Sequence, residues 1–327
     1  MIPRDAAWVP SQIRWTPQGP LVDWCHLGDL RFTGPFFEQT IGTAMSHPFN
    51  LLLGHSTPLD ALDTAAADFD QRPAGLIFHM SRCGSTALAQ MLAALPRNVV
   101  LSEPGPLDQI LRMPSRLRDL PPDLVVRRLR AMTAALGRRR HPEERDLFIK
   151  LEGWHVLLLP LIRRAFSDVP WVFLYREPVA VMASLARHRS GQTMPGGIDP
   201  AVLGLAPPIQ ARSLDHYAAL VLARFCAAAI EHYDAGGGML IEYRELAQGI
   251  PQRLLDHFGL SYPAADIARM REAAGFDAKR PGRPYADDSE TKRNSASDDM
   301  RDLAATLVAP LHARLEALRR ASAREGA

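Results

Sequence analysis

Along most of this chain, short apolar runs alternate with longer stretches in which apolar positions recur every three or four residues. The run "GLIFHM" reads as a buried strand, and "TALAQMLAAL" as a helix with Leu88, Met91, Leu92 and Leu95 on one face. The alternation continues through a strand "NVVLSE", an arginine-rich helix from about Pro122 to Arg140, and a strand "DLFIKLE". Next come a helix in "HVLLLPLIRRAF", interrupted or started by Pro160, a strand "WVFLYRE", and a helix "PVAVMASLARHR" whose Pro178 suits a first helical turn. After a glycine- and proline-rich loop over 190–208, a long helix runs from about Ser213 to Tyr233. The strand "GMLIEYREL" and the helix "IPQRLLDHFGL", stopped at Gly259, follow it. Strands alternating with helices predict a three-layer α/β fold, a mainly parallel central sheet flanked by helices.

Two segments break the pattern. Residues 1–70 hold three of the five tryptophans (Trp8, Trp15, Trp24) and the phenylalanine cluster of "FTGPFFEQTI". They read as a strand-and-helix cap, or alternatively an independent binding module, ahead of an α/β domain over 71–327. The polar, breaker-rich tract 278–299 reads as a linker or as a lid loop folding over a ligand, before a terminal helix.

Composition narrows the class of partner. With 38 Lys plus Arg against 36 Asp plus Glu in 327 residues, the net charge is +2, so bulk charge makes no case for nucleic-acid or membrane binding. Any grip on an anion must be local. Three scattered cysteines (Cys25, Cys83, Cys226) match no metal or disulfide spacing and suit a reducing cytoplasm. No signal-peptide pattern is visible at the start, and the most apolar stretch, "WHVLLLPLI", is too short to span a bilayer. A soluble, cytoplasmic protein is expected. Lysines are only three, Lys150, Lys279 and Lys292, and Lys150 stands at the end of a predicted strand.

The chemistry concentrates in "SRCGST", 81–86, between the first strand of the alternating region and its helix. A strand feeding a helix through a glycine turn aims backbone N–H groups at one point, and the helix dipole adds positive charge. Gly84 allows close approach, Ser85 and Thr86 offer hydroxyls, and Arg82 brings a forked cation. Read as a nucleoside-triphosphate loop, the segment is degenerate. With Gly84 as its second glycine, His79 stands at the first and Ser85 replaces the phosphate-gripping lysine. No magnesium-holding aspartate follows "WVFLY", so the site reads as built for an anion without a metal. Nor is it a Cys-x5-Arg phosphatase loop, because position 89 is Ala89, and Cys83 reads as a small loop residue.

"SRCGSTALAQML" followed by "LSEP" resembles the 5′-phosphosulfate loop of sulfotransferases that use 3′-phosphoadenosine 5′-phosphosulfate (PAPS), in the form found in bacterial and protein-tyrosine sulfotransferases, with Cys83 in place of serine. "WVFLYREPVAVMASLARHR" resembles the family's 3′-phosphate signature, an arginine ending a strand and a serine eight residues on: Arg176 and Ser184. "MLIEYRELAQGIPQRLLDHFGL" resembles a third segment, in which Tyr243 takes the place of a tyrosine near the adenine; it departs from the family at Arg244-Glu245. "AKRPGRP" stands where relatives carry a basic loop over the 3′-phosphate, which implicates Lys279, Arg280 and Arg283, although the family's tryptophan is missing. The resemblance spans about residues 75–300.

It implies PAPS as co-substrate and a hydroxyl or amine of a peptide or small molecule as acceptor. Arg82, Cys83, Gly84, Ser85 and Thr86 would hold the 5′ end, and Arg176, Ser184, Tyr243, Lys279 and Arg280 the rest. It implies Glu103 as general base, with His155 the runner-up, and Lys150 with Arg82 stabilising the leaving group. As a base, Glu103 calls for a raised pKa or a tight hydrogen bond. Two rival readings stay open: a small-molecule or nucleotide kinase with a degenerate loop, and a catalytically idle nucleotide-binding scaffold.

Overall fold

The computed structural model describes residues 2–325 apart from 66–70, 118, 206–208, 248–249, 279–281 and 284–287. The apolar runs become five buried strands: β4 (Pro73–His79), β5 (Asn98–Ser102), β6 (Asp146–Lys150), β7 (Trp171–Tyr175) and β8 (Gly238–Glu242). All pair in parallel, in the order β5-β6-β4-β7-β8. Continuous apolar strands suit this arrangement because both faces are covered by helices. The helix Ser85–Ala93 packs with Ala264–Ala274, and the long helix Leu214–Tyr233 packs with Pro178–Arg187, Leu159–Ala165 and the terminal helix Ala309–Glu325. The three-layer α/β fold with a parallel central sheet is thus the architecture observed.

The order of the strands positions the site. From β4 the chain runs to the edge strand β5, returns to β6 beside β4, and then crosses to β7 and β8 on the other side. At such a reversal the connections leave the carboxyl edge in opposite directions and open a crevice, here above β4.

Residues 8–58 form a second sheet, antiparallel, of β1 (Trp8–Thr16), β2 (Gly19–His26) and β3 (His55–Pro58). It is tied to the α/β layer by reciprocal bonds between the Gln109 amide and the backbone of Ile13, at 2.6 and 3.0 Å. Arg128 adds an ion pair to Asp60. One hydrophobic core runs through both sheets, from Val9 and Leu62 to Phe173 and Leu315. The end of the short helix Pro48–Leu52 leaves Leu51, Leu52 and the capping Leu53 exposed.

Several boundaries differ from the sequence reading. The strand expected over 238–246 ends at Glu242, and Tyr243–Ala247 form a tight helical turn, because Glu245 reaches back to the backbone N–H of Glu242 and curls the chain. Pro160 starts a helix rather than interrupting one, after a separate turn over Gly153–Leu158. The tract 278–299 is not a loop throughout: helices Ser289–Asn294 and Asp298–Leu303 occupy its second half, the latter capped by Ser297. Among the described residues no helix is long and apolar enough to cross a membrane.

The first residues of β4 meet the other layers closely. A Cβ added at Gly75 would lie 2.6 Å from the ring of Phe258. Gly75→Ala should therefore cost about 1–3 kcal/mol through overpacking, read as a lower urea midpoint at unchanged slope. A variant as stable as the parent would show that the ring has room to move.

Candidate active site at the carboxyl edge of the sheet

The turn after β4 is held by unusual backbone geometry. Ser81, Arg82 and Gly84 have φ of 81°, 50° and 88°, in the left-handed region. For Ser81 and Arg82 that conformation costs energy, which the surrounding packing must offset. At Gly84 a side chain is also excluded by space, since a Cβ would lie 2.5 Å from Leu246 and 2.9 Å from Tyr243. Gly84 caps the helix Ser85–Ala93, whose first residues, Ser85 and Thr86, line a cavity of about 520 Å³. The positive end of the helix dipole therefore faces that cavity.

Cations from separate elements converge there. Arg82 lines the cavity and donates to the His188 carbonyl. Arg176, one residue past β7, lines it too. It is 97% buried (3% exposed), and its guanidinium lies 3.8 Å from the centroid of the Tyr243 ring. A desolvated cation–π contact of this kind is worth about 2 kcal/mol. It also donates to Asp288 at 3.0 Å and to the Ser289 hydroxyl at 2.6 Å. Ser184, two turns into the helix after β7, lines the same wall. Arg82 and Arg176 thus share one cleft.

Glu103 follows β5, also with a left-handed φ of 55°, and its carboxylate lines the cavity. It pairs with Lys150, the last residue of β6, whose side chain is 1% exposed. Lys150 is not among the cavity-lining residues; its ammonium sits behind Glu103. Burial alone would raise the Glu103 carboxyl, but the Lys150 ammonium, with His79, outweighs it and holds the group well below the usual carboxylate range. The raised pKa anticipated for a base is therefore not found. What Glu103 has instead is a hydrogen bond donated by the Lys150 ammonium.

Two expectations change at the side-chain level. The thiol of Cys83 is fully buried and donates to the Leu174 carbonyl at 3.2 Å, away from the cavity, so only its main chain remains for a ligand. Burial pushes that thiol up to about 12, which leaves no thiolate near neutrality. His155 is buried in a different cluster: its Nε2 meets Asp108 at 3.1 Å, and its Nδ1 accepts from the Glu152 N–H at 3.2 Å. It does not line the cavity. Lys279 and Arg280 lie outside the described residues, and Arg283 is exposed.

Other residues come to the site that the sequence did not single out. Lys292, on the helix Ser289–Asn294, lines the cavity and pairs with Asp288 at 2.8 Å. Arg187 lines it as well, from the last turn of the helix after β7. His79 ends β4 with its Nε2 3.3 Å from Glu103. Its position at a strand end was the available signal, the same that marked Lys150 and Arg176. For Lys292 no local signal exists, since its place depends on how the chain folds back over β7.

No protein-family model matches the chain, and no curated protein matches it. Solved structures similar to it include sulfotransferases. One from Mycobacterium avium is 12% identical, with 76% of this chain and 79% of that chain covered and a TM-score of 0.49. One from Alicyclobacillus acidocaldarius is 18% identical, covering 76% and 96%, with a TM-score of 0.43. A retinol dehydratase in complex with retinol and PAP is 13% identical, covering 79% and 86%, with a TM-score of 0.38. At such identities function must be argued from the site itself.

Replacing Glu103 by Gln strands a buried ammonium and should cost about 3–5 kcal/mol near neutral pH. Because the folded carboxyl titrates below its unfolded value, this stabilisation is complete above the ordinary glutamate range, about 4.3. It is lost as pH falls below that range. Urea titrations of parent and variant should thus show a gap at neutrality that narrows in acid. A gap independent of pH would mean the pair is not charged.

Proposed function

We propose that this protein is a PAPS-dependent sulfotransferase that moves a sulfuryl group to a hydroxyl or amine of a small-molecule or peptide acceptor. The observation that carries the reading is the single cleft in which Arg82, on a left-handed loop at a helix start, and buried Arg176 stand on connections from the adjacent strands β4 and β7. An adenine nucleotide with phosphates at both ends of its ribose suits two separate cationic subsites joined by an aromatic wall. Tyr243, already stacked on Arg176, supplies that wall.

In this reading the loop 81–86 holds the 5′-phosphosulfate, and Arg176 with Ser184 holds the 3′-phosphate. As the acceptor oxygen attacks sulfur, the bond from sulfur to the 5′-phosphate oxygen breaks and its electron pair leaves with the bisphosphate. Arg82 and the helix start offset that charge. The acceptor proton passes to Glu103. An ionised carboxylate held at low pKa is a weak base, so it serves chiefly to orient the acceptor hydroxyl and takes the proton late, once bonding to sulfur has made it acidic. Lys150 fixes Glu103 from behind. The roles of Lys279 and Arg280 as a cover over the 3′-phosphate belong to the same proposal.

Adenosine 3′,5′-bisphosphate should raise the thermal midpoint, by about 2.7 kcal/mol of stabilisation at a hundredfold excess over Kd. ATP with magnesium should not. Arg176→Ala should weaken bisphosphate binding by about 2 kcal/mol, roughly thirtyfold. Stabilisation by magnesium ATP alone would favour a kinase, and bisphosphate binding without release of bisphosphate from PAPS in the presence of a panel of phenols and amines would favour an idle scaffold.

A further inference from the structure

His79 is the last residue of β4, 3% exposed, between the anion loop and Glu103. Its Nδ1 accepts the backbone N–H of Ser81 at 3.1 Å. An imidazole nitrogen that accepts cannot carry the proton, so in the neutral ring the proton is on Nε2. That Nε2 lies 3.3 Å from Glu103 Oε1, within charge-contact distance but not in line for a full hydrogen bond, and it is otherwise buried without a hydrogen-bond partner. The ring therefore touches both halves of the site: one nitrogen braces the strained start of the loop, and the other lies beside the carboxylate. Burial is the main force lowering its pKa, and the Lys150 ammonium adds to it, against the pull of Glu103, so the ring is neutral near pH 7.

We propose that His79 is a positioning residue that couples the two subsites, its Nδ1 fixing the loop at Ser81 and its Nε2–H orienting the Glu103 carboxylate toward the acceptor. This rests on the sulfotransferase reading for the identity of what the two subsites hold. Lys150 and His79, two of the groups beside Glu103, act on it differently. Lys150 lies behind it and sets its charge; His79 lies on the cavity wall and sets its direction. A buried carboxylate oriented by an imidazole is the reverse of the usual arrangement, in which a carboxylate orients the imidazole, and the geometric logic is the same.

Two substitutions separate the two bonds. His79→Asn puts an amide oxygen near the Nδ1 position and keeps an acceptor for Ser81, but cannot reach Glu103. His79→Gln puts an amide N–H near the Nε2 position and keeps the donor to Glu103, but offers no acceptor to Ser81. With PAPS and 2-naphthol as probe acceptor, His79→Asn should lower kcat by about tenfold to a hundredfold while adenosine 3′,5′-bisphosphate binds within about threefold of the parent. His79→Gln should show the reverse split: kcat largely recovered and bisphosphate bound about tenfold more weakly. Parental kcat in His79→Asn, or equal losses of both quantities in both variants, would overturn the proposal, the second outcome marking His79 as mere packing. Nitrogen-15 shifts of the parent provide a readout independent of turnover. A neutral ring protonated at Nε2 is expected, and an Nδ1–H tautomer or an imidazolium at pH 7 would overturn it. If the parent neither binds the bisphosphate nor consumes PAPS, the sulfotransferase reading fails, and the nitrogen shifts alone still decide the role of His79.

Discussion

A lysine that is almost completely enclosed must have its charge met, and in this protein the charge of Lys150 is met by Glu103. The site's geometry follows from that requirement. Lys150 ends β6 and Glu103 follows β5, one residue past Ser102, the register partner of Lys150, so both side chains stand at the same edge of the sheet. Desolvating either alone would cost several kcal/mol, and together they are tolerated only with close contact. The pair thereby fixes where a carboxylate stands at the mouth of the cavity, and keeps it ionised. A glutamate with a left-handed backbone is held there against its own conformational preference.

The same edge gathers the cations. Parallel strands point their carboxyl ends one way, and each turn that leaves this edge places its first residues at the rim. Arg176 after β7, the 81–86 loop after β4 and Tyr243 after β8 are consequences of one sheet direction. Their charges are not left bare. Asp288 spans Arg176 and Lys292, so an anion entering the cleft must offer more than this carboxylate does. The left-handed run at Ser81, Arg82 and Gly84 is the complementary device: strain concentrated where main-chain donors must face a ligand.

Much of this could be read from local pattern. Apolar runs of five to seven residues ended by a polar residue marked the strands, and the residue types at their ends, Lys150, Arg176 and Glu103, marked the chemistry. Local pattern failed where a residue's surroundings lie far away in the chain. Tyr243 left its expected strand because Glu245 curls the backbone, and Cys83 turned inward because the Leu174 carbonyl on the next strand accepts its thiol proton. His155 looked like a possible base until Asp108, 47 residues away, was found beside it.

The sequence by itself determined the alternation of strands and helices, the glycine turn at 81–86 and the identities of the charged residues at strand ends, because these depend on periodicity and on backbone sterics within a few residues. Tertiary structure decided which of those charges share a cavity, which lie behind its wall, and in what protonation state they stand. Strand order sets those distances, and burial sets how strongly charges act across them. Neither quantity has a local code: Lys150 is a cation in the sequence, and only folding makes it the hidden partner of Glu103.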